Sequence, residues 1–109
     1  MGETFFYYLK DENGKAYGCV AFIENEDGSI TRGVSLCSKE DSFKKITARG
    51  IALKRMNDAI KTKTSKLFHV YYGSHPACPA YDDVFIYKSA YSVMPTAKEY
   101  RIAHKPENI

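Results

Sequence analysis

The chain has 109 residues, of which 44% are hydrophobic and 27% charged, with a formal net charge of +3. A chain of this length supports one hydrophobic core, so a single domain over residues 1–109 is expected and a multidomain enzyme is excluded. Nine Tyr and six Phe without Trp supply enough bulk to fill that core. Apolar runs such as Val20-Ala21-Phe22-Ile23 fall far short of the roughly 20 residues of a bilayer span, so no membrane partner is expected.

Met1 to Phe6 has neither the basic flank nor the apolar stretch of a secretion signal, which points to a cytoplasmic location. Cys19, Cys37 and Cys78 are odd in number and widely spaced, so reduced thiols are expected rather than a disulfide framework. His69, His75 and Cys78 allow a mixed metal site, but their spacing matches no standard pattern. The charge is unevenly placed. Residues 39–63 carry eight cations against Glu40, Asp41 and Asp58, a net of +5 that leaves −2 for the remainder. Such a basic element suggests an anionic partner, although a solvated helix face explains many such runs.

Three strands open the chain, near Thr4 to Lys10, Tyr17 to Glu24 and Ile30 to Cys37. Asp11-Glu12-Asn13-Gly14 and Glu26-Asp27-Gly28 supply the two hairpin turns, with Gly14 and Gly28 available for positive backbone angles. Ser38 is placed to cap a long helix over Lys39 to about Lys63, with Glu40 and Asp41 near its positive end. Phe43, Ile46, Gly50, Leu53, Met56 and Ile60 fall on one arc at helical spacing, with Ala48, Ala52 and Ala59 along its edge. That arc is expected to cover the sheet, with Lys44, Lys54, Arg55 and Asp58 on the solvated side.

Arg49 and Lys45 sit within or beside the apolar arc, and Arg49 is the misfit. Gly50 in a helix interior costs roughly 1 kcal/mol relative to Ala. Either a neighbouring backbone, second subunit or ligand approaches it, or the helix tolerates the loss. A fourth strand is predicted at Leu67 to Tyr72, a loop around Pro76 and Pro79, and a short fifth strand at Val84 to Tyr87. Pro95-Thr96 then opens a terminal helix bearing Glu99, Tyr100 and Arg101. The fold class is therefore α+β, an antiparallel meander sheet packed on one long helix, with a short C-terminal helix.

No phosphate-binding loop, dinucleotide fingerprint, zinc-protease helix or nucleophile elbow occurs, so neither catalysis nor a cofactor is signposted. Asp82-Asp83 reads better as a turn than as a metal or acid/base pair, and His69 as an exposed strand residue. The strongest local pattern is a strand running into a capped helix, which aims backbone amides, Ser38 and Lys39 toward one point and suits a phosphate. Arg32, Lys44, Arg49 and Lys88 are the candidates for charge-assisted contacts. Phe43 and Tyr91, with Tyr71, Tyr72 and Tyr87 behind them, are the candidates for stacking on a base. Arg101 completes the candidate set, its partner left open. Against this stands the plain reading that Ser38 only caps the helix and the cations are solvated.

The block Arg32-Gly33-Val34-Ser35-Leu36-Cys37-Ser38, Asp41-Ser42-Phe43-Lys44 and Arg49-Gly50-Ile51-Ala52-Leu53-Lys54-Arg55 resembles a family of small phage-encoded proteins. That family shares an Arg-Gly-x-Ser/Ala-x-Cys-Ser strand end, an Asp-x-Phe-x-Lys helix start and an Arg-x-x-Ala-x-x-Arg continuation, the last displaced here by one position. Phe85-Ile86-Tyr87-Lys88-Ser89-Ala90-Tyr91 with Pro95-Thr96 and Glu99 resembles its ending. The functional group this implies is the phage anti-Thoeris sponge family, which sequesters a cyclic ADP-ribose-type immune signal without cleaving it. The resemblance further implies a symmetric homo-oligomer in an infected bacterial cell, with ligand pockets between subunits and, in some members, a second site for cyclic oligonucleotides. An interface pocket would account for Arg49 and Gly50, the glycine admitting a close helix and the guanidinium pairing a diphosphate. Two other readings stay open: a nucleic-acid-binding module that lays its basic helix on a duplex, and a phage protein that inhibits a host protein.

Overall fold

The computed structural model describes residues 3–11, 13–36, 42–67 and 87–104. Five strands and two helices follow in the order β1 (Phe5–Lys10), β2 (Ala16–Glu24), β3 (Ile30–Leu36), α1 (Lys45–Thr62), β4 (Lys66–Leu67), β5 (Tyr87–Val93) and α2 (Ala97–Ala103). All pairings are antiparallel and the sheet order is β1-β2-β3-β5-β4. The fold is α+β, with α1 packed on one face of the sheet and the short α2 on the other.

Local chemistry builds the first hairpins. Gly14 and Gly28 hold φ of +81° and +87°, and Asp11 and Asp27 each accept backbone N–H bonds from the two turns. The central strands β2 and β3 are buried almost throughout, because both sheet faces are covered. Side-chain alternation then divides them into two unlike faces. The α2 face carries the large residues Tyr7, Leu9, Val20, Phe22, Ile30 and Val34, against which Ile102 and Ala103 pack. The α1 face is built at its centre from Cys19, Ala21 and Gly33, meeting Ala48, Ala52 and Met56.

Small residues on both sides let α1 lie close to β3. A Cβ placed on Gly33 would stand 2.2 Å from the Ala52 carbonyl oxygen and 2.2 Å from the Met56 nitrogen, so this strand position requires glycine. The contact is locked by the Ser35 hydroxyl, which donates to the Ala48 carbonyl at 2.9 Å.

Several expectations for this region are corrected. The helix starts at Lys45, not Lys39, and its N-cap is Lys44 in an extended conformation with no side-chain cap. Phe43, just before the helix, packs edge-on against Tyr8 with ring centroids 6.1 Å apart. Ser38 and Lys39 lie outside the described residues. The buried face is Ala48, Ala52, Met56 and Ala59, while Ile46 is 88% exposed. Closeness of approach matters beside hydropathy here, since a helix seated on Gly33 brings short side chains to the centre of the contact, with Met56, Leu53 and Ile60 around them.

Gly50 has nothing within 4 Å of its would-be Cβ, so the close approach within the chain falls at Gly33 instead. Arg55, expected in solvent, is half-buried and donates from Nη1 to the Val34 carbonyl at 2.7 Å. The fifth strand is described over Tyr87–Val93, so it extends beyond the predicted Val84 to Tyr87, of which Val84 to Ile86 lie outside the described residues; it inserts between β3 and β4. It carries a bulge opposite Ile30 and Arg32, with Ser92 at φ +52°. The fourth strand is described only at Lys66–Leu67; its continuation, and the candidates His69, Tyr71, Tyr72, His75, Cys78, Asp82 and Asp83, lie outside the described residues.

Two groups of the core carry pH-dependent stability. Burial pushes the Cys19 thiol up from its ordinary 9.0 to about 11. Burial, followed by the charge of Glu99, pushes the Tyr7 phenol well above its ordinary 10.0. Each stays protonated in the folded chain where the unfolded chain has released its proton. The thiol's contribution is therefore complete below pH 9.0 and is lost as pH rises through about 11, while the phenol's begins to fall only above pH 10.0. The urea midpoint is expected to fall between pH 8 and pH 10.5, and Cys19→Ala should flatten part of that fall. A midpoint unchanged or rising over this interval would refute the buried neutral thiol.

Candidate nucleotide site

The β3 end and the α1 start enclose a cleft of about 520 Å³ lined by Ser35, Ser42, Phe43, Lys44, Thr47 and Ile51, among others. The volume lies within the range of small-molecule sites, which run from about 300 to 1,000 Å³. Its chemistry follows from how α1 begins. The first turn of any helix leaves backbone N–H groups without intrahelical partners. No side chain caps this start and no acidic residue occupies the first turn. The positive end of the dipole is flanked by Lys44 and Lys45.

Phe43 contributes an apolar ring at the cleft wall, and the Ser42 and Thr47 hydroxyls are hydrogen-bonding groups. The arrangement offers an anion-attracting floor beside an aromatic surface, with room for a small organic phosphate.

Of the nine candidate residues, Phe43 and Lys44 line this cleft. Arg49 is exposed on the far side of the same turn, its guanidinium 4.3 Å from the centroid of the Phe6 ring. That stacking resolves the apparent misfit: the side chain shields an edge aromatic while its charge stays wet. Lys45 does the same over Tyr8 at 5.2 Å.

Arg32 is corrected. It is 2% exposed, between Ile30 and Val34 on the α2 face, where Nε donates to Glu99 Oε2 at 2.8 Å and Nη2 pairs with Oε1. Glu99 is itself fully buried and closes a capping box with Thr96 at the start of α2. It also accepts from the Tyr7 hydroxyl at 2.9 Å. Arg32 thus ties α2 to the sheet and has no reach to the cleft on the opposite face.

The remaining candidates are dispersed. Tyr91 stands beside a surface hollow that includes Glu24, Glu26 and Asp27, a poor surround for a phosphate. Arg101 is exposed on α2. Lys88 lines a separate groove of about 370 Å³ with Lys54, Arg55, Asp58 and Lys66, a grouping that sequence spacing did not show. Burial lowers the Arg55 pKa from its ordinary value. Among the described residues no group of His, Cys, Asp and Glu could hold a metal ion, and no helix is long and apolar enough to cross a membrane. Neither family models nor curated proteins nor solved structures give a match to this chain.

Proposed function

We propose that the chain binds a small phosphorylated nucleotide in the cleft between β3 and α1 and holds it without converting it. The observation that carries this reading is the uncapped, acid-free start of α1 opening into a cleft walled by Phe43 and Lys44. Phosphate would sit on the free N–H groups with Lys44 beside it, and the base would stack on Phe43. The cyclic ADP-ribose-type signal implied by the resemblance to the phage sponge family has this chemistry, a diphosphate joined to a purine. The reading includes a homo-oligomer, supported by the outer face of α1, where Ile46 is 88% exposed and Gly50 stands in open space.

Calorimetric titration with cyclic ADP-ribose isomers and cyclic di- and trinucleotides tests it. Phe43→Ala and Lys44→Glu should each weaken binding by at least tenfold, and ligand released by heat should be recovered intact. Arg32 variants should affect folding before they affect affinity. Unchanged affinity in both cleft variants would remove the cleft from the site, and altered ligand would make the protein an enzyme.

A further inference from the structure

We propose that the groove between α1 and the β4–β5 edge of the sheet seats consecutive phosphates of a nucleic-acid duplex, independently of the cleft at the start of α1. The groove measures about 370 Å³ and is lined by Lys54, Arg55, Asp58, Lys66, Lys88 and Ser89, together with Ile51. Four cations from three elements among the described residues thus share the groove with one carboxylate. Among the described residues no carboxylate forms an ion pair with Lys54, Lys66 or Lys88. Gathering like charges around one concavity is unfavourable by itself, and an anionic occupant relieves it.

Arg55 forms a fixed wall of this groove. Its Nη1 donates to the Val34 carbonyl at 2.7 Å, so the guanidinium is held in place before any ligand arrives and loses little freedom on binding. The lysines extend the charge lengthwise. Lys61 follows Lys54 by seven residues on the same stripe of α1, about 10 Å along the axis. Lys63 and Lys66 continue from the helix end toward β4. A span of that length exceeds one phosphate and suits a repeating backbone.

The described lining favours one kind of polyanion. Among the described residues Ile51 is its one large apolar side chain and no aromatic ring lines it. Single strands bind by stacking their bases on aromatic platforms, whereas a duplex turns its bases inward and presents phosphates alone. Contacts of this kind carry no sequence preference.

Fluorescence anisotropy with a labelled DNA duplex, an RNA duplex and a single strand tests the proposal. Three to four phosphate contacts should reduce duplex affinity by roughly 40- to 150-fold between about 50 and 200 mM salt. The variant Lys54→Glu/Lys66→Glu/Lys88→Glu should weaken duplex binding at least 30-fold. A control of equal charge change, Lys10→Glu/Lys15→Glu/Arg101→Glu, should weaken it less than threefold. Should the first variant fail to fold by circular dichroism, the corresponding glutamine variant should still lose at least tenfold.

Phe43→Ala should leave duplex affinity intact, and the groove variant should leave nucleotide affinity intact, so the two sites fail separately. Absence of duplex binding at low salt, binding of the single strand alone, or equal losses in groove and control variants would each overturn the proposal.

Discussion

Gly33→Ala is expected to destabilise the fold by about 3 kcal/mol or more, at the upper end of what overpacked cores show. A single methyl is enough because of what it meets. The added Cβ would lie 2.2 Å from the Ala52 carbonyl oxygen and from the Met56 nitrogen, and 2.9 Å from the Arg55 carbonyl carbon. These are backbone atoms of a continuous helix, so no rotamer change relieves the clash. The helix must lift from β3 as a body, opening the contact of Ala48, Ala52 and Met56 with Cys19 and Ala21. It also stretches the Ser35 to Ala48 hydrogen bond.

Thermal unfolding should show the midpoint falling by at least about 10 °C for a domain of this size. Gly50→Ala is the matched control: it sits on the same helix in open space, and should raise stability by up to about 1 kcal/mol through helix propensity. If the two variants melt together, α1 is not seated on Gly33. Because α1 also lines the cleft and the groove, the Gly33 variant should weaken both proposed binding activities, while Gly50→Ala should preserve them.

The contrast between these two glycines shows which parts of the structure could be read in sequence. Turns and caps are local, so Asp11 to Gly14, Glu26 to Gly28 and the Pro95-Thr96 helix start all appear where their residue chemistry places them. The first three strands follow from alternation. The seating of α1 is a matter of fit between two distant surfaces: hydropathy set Ala48, Ala52 and Ala59 at the edge of the arc, whereas they line the contact, with Leu53 packed beside it and Ile46 left in solvent. Helix entry was also misread, since Ser38 and Asp41 favour loops as readily as caps. In the structure Phe43 packs on Tyr8 and the helix begins at Lys45.

The candidate site was legible to a similar degree. The junction of β3 and α1, with Phe43 and Lys44, was visible because the residues adjoin in sequence. Lys88 was grouped with the wrong partners, since its neighbours Lys54 and Lys66 come from elements whose pairing depends on β5 inserting beside β3. Arg32 did leave a trace. It alternates in register with Ile30 and Val34, and an arginine in a buried register needs a carboxylate. The Thr96-x-x-Glu99 pattern supplied one, 67 positions along the chain.

Arg32→Met is expected to cost about 3–5 kcal/mol, the range for removing one member of a buried ion pair. The cost arises less from the lost attraction than from what remains. Glu99 is 0% exposed and would be left in the interior without its guanidinium partner. Its other donors, the Tyr7 hydroxyl and the Thr96 nitrogen at 3.0 Å, do not replace the two bonds that Arg32 gives it.

This mechanism separates from simple loss of packing in the double variant Arg32→Met/Glu99→Gln. Glutamine keeps one carbonyl oxygen for the Thr96 N–H of the capping box and turns its NH2 toward the Tyr7 hydroxyl oxygen, which can accept, but carries no charge. The double variant should therefore recover most of the stability lost by Arg32→Met, with a coupling of at least about 1 kcal/mol between the positions. Chemical denaturation of the four proteins measures it. If the second substitution adds to the loss instead, Arg32 acts mainly by filling space, and the buried charge of Glu99 is not what anchors α2 to the sheet.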